Sequence, residues 1–143
     1  NNSVEGWWQF DNGSAADSSG KGRDGAPQYG VNQNATGLLN GAFGFDGNDD
    51  FVSLPSSIST SLNGPSSLAV WFKTTNTTQT MIPLSIEGAY LLGMNCPTAE
   101  VSVDPNVYAA LFDGNSGGNS FSVGNLSDDQ WHYFAAGSDG TAM

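Results

Sequence analysis

A chain of 143 residues can bury roughly two-thirds of its unfolded surface around one core. With 19 glycines and no long run of Ala, Leu, Glu, Lys and Arg, it excludes a helical bundle in favour of a turn-dense, all-β fold. Three basic residues against 14 acidic ones give a formal charge of −11, a field that repels phosphate backbones and sets nucleic acid aside as a partner. No apolar run approaches the ~20 residues that span a bilayer, so no membrane insertion is expected. The single Cys96 leaves no internal disulfide and no cysteine zinc cluster. No leader segment stands before Asn1, so the chain reads as a mature or trimmed product. Asn-x-Ser/Thr triplets begin at Asn1, Asn12, Asn34, Asn76 and Asn125, but a chain this rich in Asn, Ser and Thr produces them by composition alone.

In chain order, VEGWWQF alternates, with Val4, Gly6, Trp8 and Phe10 on one face and Trp7 on the other, which predicts a half-buried strand. DNGSAADSSGKGRDGAP follows, a polar loop of seventeen residues that needs something to tie it down. GAFGFDG and DFVSLP predict two short strands with Phe43, Phe45, Phe51 and Val52 as core. SSLAVWFKT is the clearest strand, setting Leu68, Val70 and Phe72 against Ala69, Trp71 and Lys73. TMIPLSI and AYLLGMN predict a hairpin through Glu87-Gly88, with Pro83 favouring a sheet edge. AEVSV, VYAALFDG, NSFSVG and WHYFAAGSDG complete a set of about nine or ten short strands, the pattern of a β-sandwich in one domain over 1–143.

FDGNDDFVSLP, residues 45–55, sets three aspartates within five residues. A glycosidase needs two carboxyls facing one cleft, whereas adjacent Asp49 and Asp50 would point to opposite faces of a strand. Glu5, Glu87 and Glu100 are each isolated, His132 is the single histidine, and no serine lies in a nucleophile turn, so no catalytic residue is assigned. A helix-loop-helix calcium site also fails, because its required glycine falls on Phe51 and its bidentate glutamate on Ser57.

WQF, DSSGKGRDG, GAFGFDGNDDFVSLP, SLAVWFK and DDQWHYFAAGSDGT occur in the order of laminin-G-like, concanavalin-A-like jelly-roll domains. The chain most resembles the bacterial pentraxin/laminin-G type over residues 4–142. The resemblance implies an antiparallel β-sandwich of two curved sheets, a secreted or cell-surface location, carbohydrate binding or adhesion, and often a structural calcium ion. Some relatives accompany glycoside hydrolases without doing chemistry themselves. Such domains continue beyond the point where this chain stops, at Met143. A sandwich lacking its C-terminal strands leaves an open edge, so the chain reads either as a fragment or as one that a partner completes.

Two functional readings stand side by side. In the first, the chain is an extracellular, non-catalytic module for a polysaccharide or glycan. Either Asp17 and Asp24, with glycines that let carbonyls turn inward, hold calcium in the long loop and Asp46 and Asp49 close the same site from the next turn, or Asp17 makes Asx-turn hydrogen bonds and Asp46 caps a bulge. Trp7 and Trp71 offer aromatic faces for sugar C–H patches or pack in a second buried layer, and Tyr29 and Tyr90 are ligand contacts or rim residues. In the second reading, the chain is an assembly domain whose open sheet edge takes a strand from a protein partner or from another copy.

Overall fold

The computed structural model describes residues 4–58, 64–86, 90–94, 107–111, 119–122 and 126–138; of 86, 90–94, 107–111, 119–122 and 138 it describes the backbone alone. Strands in small antiparallel sheets are the main regular structure of the described residues, and a 3-10 turn spans Asp11–Gly13. The strands are β1 (Ala26–Gln28), β2 (Asn32–Thr36), β3 (Gly41–Gly44), β4 (Phe51–Ser53), β5 (Ser66–Phe72), β6 (Met81–Ile86), β7 (Tyr90–Met94), β8 (Val107–Leu111), β9 (Asn119–Ser122) and β10 (His132–Ser138). The chain divides into two compact units, Asn1–Leu62 and Asn63–Met143.

In the first unit, β1 pairs with β4 and β2 with β3, both antiparallel. Ala15, Val31 and Phe43 form its buried centre, with Phe10 and Val52 packed against them. The Phe10 and Phe43 rings stack at 4.4 Å. VEGWWQF is not the strand its alternation predicts: only Trp8 makes a ladder bridge, to Asp17. The Phe10 backbone turns left-handed at φ 58°, and this directs the chain into the 3-10 turn. Asp11 then holds the β2–β3 connection, accepting from the Gly41 N–H at 3.1 Å and the Asn40 amide at 3.0 Å. A Cβ on Gly37 would sit 2.2 Å from the Gly41 carbonyl oxygen, so only glycine fits that turn.

The core expectations divide. Phe43 is buried and Val52 packs on it, but Phe45 and Phe51 are 52% and 46% exposed. Phe51 and Val52 are neighbours on one strand, and a strand cannot turn both toward the same core. Val52 took the inner face.

In the second unit, β5 pairs with β10 along seven residues, and β6-β7-β8-β9 form an antiparallel meander. The alternation read in SSLAVWFKT holds: Phe72 is buried, with Leu68 and Val70 packed near it, while Ala69, Trp71 and Lys73 are exposed. Opposite, Phe134 is buried between exposed Tyr133 and Ala135. Burying a phenylalanine this fully is worth about 1.5–3 kcal/mol, so Phe72 and Phe134 fix the inner face of the pair. β6 ends the meander order, the edge position that Pro83 favours, and its register shifts between Met81 and Leu84. The expected hairpin turn at Glu87-Gly88 and the expected strand AEVSV lie outside the described residues.

Candidate functional site

The long loop is organised by one carboxylate. Asp17 Oδ1 accepts the N–H of Trp7 at 3.0 Å and of Ser19 at 2.9 Å; Oδ2 accepts the Ser19 hydroxyl at 2.8 Å and the Arg23 N–H at 3.0 Å. Desolvation pushes its pKa up, but the bonds from Ser19, Arg23 and Trp7 prevail and hold it far below the usual carboxylate range. Exposed Asp24 accepts the Asp17 N–H at 2.8 Å. Glu5 pairs with both Lys21 and Arg23, and the Trp8 indole donates to the Arg23 carbonyl at 2.8 Å. Four donors reach the Asp17 oxygens, so protein groups tie this loop down.

The acidic run in FDGNDDFVSLP gathers differently. Asp46, Asp49 and Asp50 bring carboxylate oxygens within 4.8 Å of one another, and Asp17 and Asp24 are not part of that group. Asp46 accepts the Asn48 N–H at 2.8 Å and its amide at 2.9 Å; these bonds lower its pKa against a smaller desolvation effect. Asp50 Oδ2 accepts the Asp46 N–H at 3.0 Å, and Oδ1 accepts the Gly30 N–H at 2.7 Å, which fastens the turn after β1 to the start of β4. The donor set is oxygen only, with Asp46 and Asp49 exposed and Asp50 half-buried, and suits a hard cation such as calcium rather than zinc. Asp50 was absent from the expected ligands, although its place in the DGNDD run was a usable signal.

Exposed aromatic rings stand out in both units. Trp71 and Tyr133 are direct cross-strand partners in the β5–β10 register, 51% and 58% exposed. Their ring centroids lie 5.2 Å apart with planes tilted by 47°. Along the same face follow the exposed pairs Ala69–Ala135 and Ser67–Gly137, a low floor beside the rings. Lys73, next outward on this face, pairs with Asp129 at 3.1 Å. His132 Nε2 contacts Asp128 Oδ1 at 2.8 Å. That contact, ahead of the Gln130 N–H and against desolvation, lowers the Asp128 pKa.

Of the expected sugar contacts, Trp7 is 54% exposed and Tyr29 75% exposed. Tyr29 packs on Phe51, centroids 5.6 Å apart. Tyr90 lies on β7, but its side chain is outside the described residues. Tyr133 and Phe51, the ring partners of Trp71 and Tyr29, are not among those expected contacts. Tyr133 was legible, because it precedes buried Phe134 and must face the other way.

The fold and these faces define an all-β chain with exposed ring pairs. Comparison with protein-family models, curated proteins and solved structures gave no match.

Proposed function

We propose that this chain is a non-catalytic sugar-binding module of the laminin-G-like, concanavalin-A-like jelly-roll class, working outside the cell on neutral β-linked glucans. The observation that carries the reading is the Trp71–Tyr133 pair, held outward by a strand pair whose inner face is filled by Phe72 and Phe134. Half-exposed rings on a sheet face match the apolar C–H face of a pyranose whose hydroxyls are all equatorial. The charge of −11 disfavours acidic glycans and leaves neutral ones. The proposed calcium ligands are Asp46, Asp49 and Asp50.

The test is retention of the full chain on insoluble β-1,3- and β-1,4-glucan. Covering one such ring is worth about 1.5–3 kcal/mol, so Trp71→Ala should weaken retention about tenfold or more. Absence of wild-type retention on both polymers removes the sugar reading.

A second reading, assembly through protein contacts, is favoured by β10, which among the described residues pairs with β5 alone. Strand addition there would protect alternate β10 amides and enlarge the particle. A monomer whose β10 amides exchange freely on the side away from β5 speaks against it.

A further inference from the structure

The outer face of the β1–β4 pair is built from the same kinds of groups as the Trp71 face, with more polar help. Register sets Gln28 opposite Phe51 and Ala26 opposite Ser53. Val52, between Phe51 and Ser53, packs into the core of Ala15, Val31 and Phe43, so the alternation of a strand turns Phe51 and Ser53 outward. Tyr29 completes the patch, its ring tilted 56° to that of Phe51. It stands at φ 58°, a backbone region that bulky side chains seldom occupy.

Three features separate this patch from a stray exposed residue. Two rings face solvent together, where folding gains little from either. The neighbouring bond from Gly30 N–H to Asp50 holds the Tyr29 turn in place. The planar Gln28 amide is also oriented, its Nε2 donating to the Ala26 carbonyl at 3.1 Å. That leaves Gln28 Oε1 and the Ser53 hydroxyl beside the rings as partners for ligand hydroxyls. Apolar rings with an oriented amide and a hydroxyl are what a neutral pyranose requires: stacking for its C–H face and hydrogen bonds for its rim.

We infer that Tyr29, Phe51, Gln28 and Ser53 form a second sugar site, taking a pyranose unit of the same class of neutral β-linked glucan. The inference rests on the sugar-binding reading of the Trp71 face, and it gives one chain two separate contact points for a polymer.

The experiment is an NMR titration of the full chain with β-1,3- and β-1,4-linked glucose hexamers, repeated on Trp71→Ala, Tyr29→Asn and Phe51→Ala. Asparagine tolerates the left-handed backbone at position 29, so Tyr29→Asn removes the ring without added strain; Phe51→Ala tests the same patch at a residue already half exposed. The expected result is two groups of shifted signals. The group around Tyr29, Phe51 and Gln28 should persist in Trp71→Ala and lose affinity about tenfold in Tyr29→Asn and Phe51→Ala. Shifts confined to Trp71 and Tyr133 overturn the second site and leave the first standing. Shifts confined to the Tyr29 patch keep the second site and remove the Trp71 platform. No shift with either hexamer removes both.

Discussion

Asp17 shows how far one side chain reaches. Its two oxygens gather donors from Trp7, Ser19 and Arg23, joining the start of the chain to both arms of the long loop. Asparagine would keep one acceptor oxygen and turn an amide nitrogen toward the other donors. Asp17→Asn should therefore cost about 2 kcal/mol, allowing for partial exposure, read from denaturant unfolding. The sign of the pH dependence follows from the depressed folded-state pKa. The stability this carboxylate contributes is intact above its ordinary value of 3.8 and is lost as pH falls below it. Below that value the melting temperature of wild type should fall more steeply than that of Asp17→Asn. Parallel acid limbs would show that the four bonds carry no such weight. The motif DSSGKGRDG marked this loop as organised, but whether carboxylate oxygens meet a cation or N–H groups depends on the loop's path, which residue types alone do not specify.

At the scale of elements, the β5–β10 pair separates two kinds of aromatic residue. Phe134→Ala should destabilise by about 3–5 kcal/mol, because it opens a cavity in the buried layer with Phe72. Trp71→Ala should cost about 1 kcal/mol or less, the worth of an exposed cross-strand pair. Equal losses in chemical denaturation would mean that Trp71 is a packing residue and no platform. This partition was legible in SSLAVWFKT, where apolar and exposed positions alternate without interruption. β1 and β2 were not. APQ carries a proline and NQNAT is polar at nearly every position, so neither shows the alternation by which a half-buried strand is recognised. They are strands because β4 and β3 lie beside them to accept their hydrogen bonds. VEGWWQF is the converse case: its alternation is clear, but the left-handed turn at Phe10 ends any extended run.

For the molecule as a whole, charge decides more than packing detail. With −11 on 143 residues, self-repulsion opposes the compact state, and screening should relieve it. Raising sodium chloride from low to physiological levels should lift the melting temperature by about 2–8 °C, the equivalent of about 1 kcal/mol. Calcium should add to this at equal ionic strength: at a hundred times its dissociation constant a bound ion contributes about 2.7 kcal/mol. Substituting Asp46, Asp49 and Asp50 by asparagine should abolish that excess. A calcium response no larger than the sodium response would remove the metal and leave the ring pairs untouched. Against this acidic background all three basic side chains are engaged, Lys21 and Arg23 with Glu5 and Lys73 with Asp129. That arrangement bears on how the chain can be handled. Lysine-directed coupling to a bead or dye can use only Lys21 and Lys73, and because Lys73 borders the Trp71 rings, coupling there would obstruct them.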